Sequence, residues 1–287
     1  MNILMMTNTY LPHVGGVARS VSAFTNEYRR LGHRVIVVAP EFEGMPEEEQ
    51  DVIRMPAIQN FNGSDFSVAL PVPGILELAL ADFTPDIVHS HHPFLIGGTA
   101  VRVANMFNVP LVFTHHTMYE RYTHYVPGDS PRMREFAINL SRGYCNLCDH
   151  VFAPSESVAG MLRERGVTTE ITSLPTGVDV EKFAQGDGPG MRSRLEIPAD
   201  ALVVGHLGRL APEKNLEFLA RAVARFMKNR DDAWFLVIGD GPSRDEIVRI
   251  FDEAGLGERL CMAGTLKDQD LIDGYHAMDV FVFASQT

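Results

Sequence analysis

Short apolar runs alternate with amphipathic segments along almost the whole chain, and that rhythm constrains the fold more than any single residue. In the first part of the sequence the apolar runs fall at residues 3–6, 35–39, 87–89, 111–114, 150–153 and 171–174. Between the first two, Val17, Val21, Phe24, Tyr28 and Leu31 recur at the spacing of one helix face, and Gly32 follows as a stop. A strand returned by a helix to a parallel neighbour produces such a pattern. The alternation therefore predicts an α/β chain whose mostly parallel sheets carry helices on both faces. Around Pro175-Thr176-Gly177-Val178-Asp179 the rhythm pauses, and Gln185-Gly186-Asp187-Gly188-Pro189-Gly190 is the most glycine-rich stretch. It then restarts, with strands expected at 201–207, 234–238, 259–262 and 280–284 and helices at about 213–227, 243–254 and 269–278. The expectation is two doubly wound domains, residues 1–175 and 186–287, facing each other across a cleft. Ligands of such sheets sit beyond the carboxyl ends of the strands.

Composition narrows the class. At 287 residues the chain has room for two substantial cores, and 45% hydrophobic with 22% charged residues is globular. No apolar run approaches the roughly 18 residues of a spanning helix, and Met1 to Met6 carries neither a basic flank nor a cleavage site. A cytoplasmic protein is expected. The net charge of −12 opposes general nucleic-acid binding, which needs a dense cationic face. Cys145 and Cys148 lie in a helical stretch with no second pair at zinc spacing, so they read as buried thiols.

Chemistry gathers at the predicted strand ends. Gly208-Arg209-Leu210-Ala211-Pro212-Glu213-Lys214-Asn215 follows an apolar run and opens through Pro212 into a helix. A helix start offers unpaired N–H groups, Arg209 a bidentate fork and Lys214 a point charge, a set suited to a diphosphate. An ordinary turn with two solvated cations has the same sequence. Gly15 and Gly16 stand where the first strand turns into the first helix, and two glycines there let backbone N–H groups approach a phosphate. They form no dinucleotide fingerprint, because Ser20 occupies the place of the third glycine. Gly239-Asp240-Gly241-Pro242 and Gly264-Thr265-Leu266 end the next two strands and are candidate pocket walls, or simply tight turns. His89, His91 and His92 come at one strand end, His115 and His116 at the next, and His124 beyond, with Glu120 as the nearby carboxylate. His89 and His91 alternate with Ser90, so the histidines do not all point at one ion, and sugar contacts are favoured over a metal.

Taken together, the Gly15-Gly16 turn, Asp86-Ile87-Val88-His89, Thr114-His115-His116-Thr117, Gly208-Arg209 with Lys214, Gly239-Asp240-Gly241-Pro242 and the strand end at Ser285 resemble the retaining glycosyltransferases of family GT4. The resemblance covers essentially the whole chain. It implies the GT-B fold and transfer of a hexose from a nucleotide sugar such as UDP-glucose, with no metal and no cofactor beyond that donor substrate. It further implies that Gly16 touches the donor diphosphate and that Arg209 and Lys214 neutralise it as it leaves. His116 would then contact the donor sugar, while Gly15, Gly239, Gly241, Thr265 and Leu266 line the nucleotide site. The family carries two Glu separated by seven residues after the strand ending near Ser285, and the sequence ends at Thr287 before them. The second domain is accordingly expected to be incomplete.

The stretch from Thr117 to Pro127 looks like the acceptor-side loop of bacterial diacylglycerol glucosyltransferases, and His91-His92-Pro93-Phe94-Leu95 supports the same subgroup. Phe66, Val68, Leu70, Val72, Ile75 and Leu76 with Arg132, Arg134 and Arg142 form a candidate rim for peripheral contact with anionic lipid at the inner face of the membrane. A core helix with solvated arginines is the plainer reading. The partners expected are a nucleotide sugar and a lipid or sugar acceptor. Three alternatives stand: a soluble acceptor, a catalytically silent sugar-nucleotide module, and a Rossmann-type oxidoreductase, which the missing fingerprint opposes.

Overall fold

The computed structural model describes residues 1–13, 15–60, 67–70, 74–123 and 128–285. The chain divides into two compact units, Met1–Gly177 and Val178–Thr287. In sequence order the first holds β1 (Asn2–Met6), α1 (Gly16–Arg30), β2 (Arg34–Pro40), β3 (Val52–Met55), β4 (Ala57–Ile58), β5 (Val68–Ala69) and α2 (Ile75–Ala79). It continues with β6 (Ile87–Ser90), α3 (Ile96–Phe107), β7 (Leu111–Thr114), α4 (Pro131–Cys145), β8 (His150–Ala153), α5 (Glu156–Glu164) and β9 (Ile171–Ser173). Seven strands form a parallel sheet in the order β3-β2-β1-β6-β7-β8-β9, with β4 and β5 as a separate antiparallel pair. Strand periodicity divides β1 between two cores. Leu4 and Met6 join Val38, Phe113 and Tyr144 on one face, while Ile3 and Met5 join Val35, Val37 and the α1 residue Val21 on the other. A strand covered on both faces has no polar side, which is why it reads as a continuous apolar run.

The second unit comprises α6 (Val180–Phe183), α7 (Gly188–Arg194), β10 (Leu202–Leu207), α8 (Leu216–Met227), β11 (Ala233–Ile238), α9 (Arg244–Glu253), β12 (Leu260–Gly264), α10 (Asp268–His276) and β13 (Val280–Phe281). Its parallel sheet runs β12-β11-β10-β13. Val204, Phe235 and Val237 face the α8 residues Leu216, Leu219, Ala220, Val223 and Met227, and Val203, Leu236 and Ile238 face Met191 and Leu271. In each unit the chain order reverses beside the first strand. The switch lies between β1 and β6 in one and between β10 and β13 in the other, so the crevice that binds ligands in open α/β sheets opens at those strand ends.

Four expectations change. The helix predicted from about 213 begins at Leu216, because Pro212–Lys214 forms a single 3-10 turn and Asn215, at φ 54°, stops it. Lys214 therefore lies outside the α-helix. Residues 280–284 were expected to be a buried strand, yet β13 is two residues long and Val280, Phe281 and Phe283 are exposed, since it pairs with β10 alone at the sheet edge. The strand β3 escaped the sequence reading because Arg54 interrupts its four residues. Cys148 lies past the end of α4, although both it and Cys145 are buried as expected. His124, Tyr125, Val126 and Pro127 of the acceptor loop, and Phe66 and Val72 of the apolar segment, lie outside the described residues.

Candidate functional site

In the carboxy-terminal unit, β10 ends at Leu207 and the chain turns at Gly208, whose φ of +154° falls in the region favouring glycine. The following residues are laced to the end of β11. The Gly208 amide donates to Ile238 O at 3.0 Å, Leu210 N to Asp240 O at 2.9 Å and Ser243 N to Leu210 O at 2.8 Å. Gly239 and Gly241 have φ of +131° and +149°. A Cβ on Gly239 would run into Gly208 O, and one on Gly241 would meet Leu210 O at 2.5 Å. These two glycines thus let one loop lie directly on the other. Leu210 and Ala211 are fully buried and pin the loop between its two cations, leaving Arg209 exposed and Lys214 half-buried. α8 starts at Asn215 without a side-chain cap, so its first-turn amides keep no capping partner from that residue. The Ser285 hydroxyl, beyond β13, reaches Glu213 O at 3.5 Å.

Thr265 is exposed after β12, whereas the Leu266 side chain packs into the core beside Ile238 and Gly274. What Leu266 can offer a ligand is its backbone. Gly15 caps α1 with extended backbone and no side-chain bond, and Gly16 is the first helical residue. A Cβ on Gly16 would meet nothing within 4 Å, and its φ is not in the positive range. Nothing in the fold itself demands glycine there.

The histidines form two arrangements at the ends of β6 and β7. His89, His91 and His116 make a row, with ring centroids 4.2 Å and 5.2 Å apart in turn, and His91 Nδ1 is 2.9 Å from His116 Nε2. His89 Nε2 bonds the Thr114 hydroxyl at 2.7 Å, while the fully buried His91 Nε2 has no hydrogen-bond partner. His92 faces the other way, accepting the Asn8 amide at 3.1 Å on Nδ1. His115 stands edge-on to Tyr119. Burial, reinforced by neighbouring imidazoles, pushes His89 and His92 down to about 3 and His116 down to about 4. Burial likewise lowers His115 to about 4, against the opposing pull of Glu120, and holds His91 well below the usual range. At neutral pH the row is uncharged. Glu120 is taken by Arg165 at 2.6 Å, and among the described residues no group of three or more His, Cys, Asp or Glu side chains could hold a metal.

Sequence reasoning missed Asn8 and His206. Asn8 ties the β1 exit to the loop before α3, donating from Nδ2 to Phe94 O at 3.0 Å and accepting the Ile96 amide on Oδ1 at 3.1 Å. Its signal was the polar triplet Thr7-Asn8-Thr9 straight after an apolar strand. The signal of His206 was one ionisable residue inside such a strand.

A sequence profile described as Glycosyltransferase Family 4 matches residues 14–182, more than half of the chain. The chain belongs to glycosyltransferase family 4. A second profile, glycosyl transferases group 1, matches residues 189–287 of this family 4 chain. It is 28% identical over 298 residues to the alpha-monoglucosyldiacylglycerol synthase of Streptococcus pneumoniae, covering 99% of this chain and 66% of that protein. It is also 28% identical to the enzyme of that name from Acholeplasma laidlawii, covering 100% of this chain and 75% of the relative. A GDP-mannose-dependent alpha-mannosyltransferase from Corynebacterium glutamicum is 26% identical, with 98% and 66% covered. The chain thus spans about two thirds to three quarters of these curated relatives. Among solved structures, the sucrose-phosphate synthase of Thermosynechococcus elongatus matches with a TM-score of 0.72 at 20% identity, over 99% of this chain and 75% of that one. Anabaena HepE in complex with UDP-glucose matches at 0.70 and 17%, over 100% and 74%. The shared fold is GT-B. No helix among the described residues is long and apolar enough to cross a membrane.

Proposed function

We propose that this family 4 chain is a retaining hexosyltransferase that moves a hexose from a nucleotide sugar, UDP-glucose or a related donor, to a hydroxyl acceptor. The observation that carries the reading is the loop after β10, where Arg209 and Lys214 flank the buried Leu210 and Ala211 at the switch point of the carboxy-terminal sheet. As the bond between the sugar and the diphosphate breaks, negative charge grows on the leaving group, and fixed cations held by a rigid loop stabilise it without reorganising. The acceptor oxygen then bonds the anomeric carbon as its proton passes to the departing diphosphate. His116 takes a different part: a neutral ring with Nε2 already engaged by His91 orients and hydrogen-bonds a sugar but supplies no charge. Gly16 gives the donor diphosphate close backbone access at the start of α1, and Gly15, Gly239, Gly241, Thr265 and Leu266 shape the nucleotide site. The reaction is proposed to need neither metal nor cofactor.

Arg209→Ala or Lys214→Ala should each weaken UDP or GDP binding by about 1–3 kcal/mol in isothermal titration. The wild-type affinity should survive EDTA, and NAD should give no thermal stabilisation. Undiminished binding in both variants sinks the assignment. Nucleotide binding without hexose transfer to any acceptor leaves the silent module as the better description.

For the acceptor, we favour diacylglycerol, on the names of the two 28% identical relatives and on the outer face of α4. That face exposes Phe136 and Leu140 at 61% and 37%, with the exposed Arg132 one turn before Phe136; Arg142 is exposed on another side of the helix, and Arg134 is paired with Asp129 at 2.9 Å. An exposed apolar pair with arginines on the same helix suits the surface of an anionic membrane, and the attraction is screened beyond a Debye length of about 10 Å at 0.1 M salt. The full chain should cosediment with anionic liposomes at low salt and be released at high salt, with Arg132, Arg134 and Arg142 changed to Ser as the control. Protein that stays in the supernatant at low salt makes a soluble sugar acceptor the better reading.

A further inference from the structure

His206 is the one titratable side chain of β10, and it is 3% exposed. Its Nδ1 lies 3.0 Å from Val282 O. A carbonyl can only accept, so Nδ1 carries the hydrogen and Nε2 of the neutral ring presents a bare lone pair. Burial, helped by the Lys214 charge and opposed by the hydrogen bond to Val282 O, lowers this ring from the ordinary histidine range and favours that neutral form. The ring is also fixed, lying nearly parallel to Phe281 at 6° with centroids 6.4 Å apart. Yet Nε2 is buried and has no hydrogen-bond partner. Leaving such an atom unsatisfied forfeits its hydration with nothing in return, so a buried acceptor of this kind calls for a partner.

Its position indicates the use. Gly208 lies one residue past the end of β10, and a Cβ built on it would find Nε2 at 3.8 Å and, its chain neighbours apart, nothing else within 4 Å. The ring bridges β10 to the chain after β13, the two strands between which this sheet reverses order. The unpartnered acceptor therefore lies just beneath the space over Gly208, next to Arg209 in the chain, at the place where the proposed donor binds. A phosphate oxygen at neutral pH has no hydrogen to give and would repel the lone pair. The complementary group is a hydroxyl.

We infer that His206 Nε2 accepts a hydrogen bond from a hydroxyl of the nucleotide-sugar donor, on its ribose or its hexose, seated over Gly208. The inference rests on the transferase reading. It makes His206 a binding residue that senses hydroxyl groups, while the neighbouring cations sense charge.

Titration calorimetry on the full chain separates these roles. The donor probe is whichever of UDP-glucose and GDP-mannose binds more tightly, with its nucleoside diphosphate and inorganic pyrophosphate as comparisons. His206→Phe keeps the ring plane against Phe281 but has no acceptor, and should weaken the sugar nucleotide about tenfold. Pyrophosphate, which has no hydroxyl attached to carbon, should change less than about twofold. An equal loss for the nucleoside diphosphate assigns the ribose, and an unchanged one assigns the hexose. His206→Gln, which retains an acceptor oxygen, should stay within about threefold of wild type. Undiminished sugar-nucleotide affinity in His206→Phe overturns the inference, and so does an equal loss for pyrophosphate, which would place the effect on Arg209 and Lys214. Should the Phe variant fail to fold, the wild-type imidazole nitrogen spectrum decides: the His206 Nε2 resonance must move when the sugar nucleotide is added and stay put with pyrophosphate. If neither sugar nucleotide binds the wild type, the transferase reading falls and takes the inference with it.

Discussion

The amino-terminal unit ends its central strands in buried imidazoles, and the carboxy-terminal unit ends its own in glycines, with an exposed Arg209 and a half-buried Lys214 after the first of them. Both sheets reverse order beside their first strand, so both raise a crevice of the same kind. What differs is where the ionisable groups sit. His89, His91, His92 and His115 are buried, and burial keeps them neutral at physiological pH. Arg209 is exposed, at the surface of its loop. On the function proposed above, the buried imidazoles would hydrogen-bond the sugar and the exposed cations would meet the phosphates, a division set by depth of burial as well as by residue type.

The contrast is most exposed to acid. Each of the five rings has a folded pKa below its ordinary value of 6.5, down to about 3 or 4 for four of them. The unfolded chain thus takes up protons first as pH falls. Stability from these groups is complete above pH 6.5 and declines down to the folded values, at up to about 1.4 kcal/mol per pH unit for each ring. The loss by pH 5.5 should be on the order of 5 kcal/mol and confined to the amino-terminal unit. Trp234, the sole tryptophan, reports on the other unit, so far-UV circular dichroism and tryptophan fluorescence should melt together at pH 7.5 and separate at pH 5.5. Transitions that move in step would break the contrast.

Next in size is Gly239→Ala. The added methyl would enter Gly208 O at a φ of +131°, so a loss of about 3 kcal/mol or more is expected, read in the fluorescence-detected transition. A melt unchanged within about 0.5 kcal/mol would show that the two loops are not interlocked. The smallest effect belongs to Gly16→Ala. Open space surrounds that position at the first turn of α1, so stability should stay within about 0.5 kcal/mol while nucleotide affinity drops. If stability fell as it does for Gly239, the two glycine sites would be doing one job.

Much of the fold was legible in the residues. Every strand of the two parallel sheets but β3 announced itself as an apolar run, and the turns at Gly208, Gly239 and Gly264 stood out as the strand ends. The break at Asn215 was not legible, because a left-handed residue after a single 3-10 turn leaves the local pattern of Leu216, Leu219, Ala220 and Val223 intact. Nor was the commitment of Glu120, whose partner Arg165 lies 45 residues further on.

The sequence by itself determined the α/β class, the two-part organisation and the places where glycine and charge gather, since periodicity, caps and turns act over a few neighbouring residues. Tertiary structure alone decided which histidines form a row, that Gly239 and Gly241 serve a loop-on-loop contact, and that His206 donates a hydrogen bond to the carbonyl of Val282, 76 residues away. Those outcomes depend on strand order and depth of burial, and no local pattern of residues encodes either.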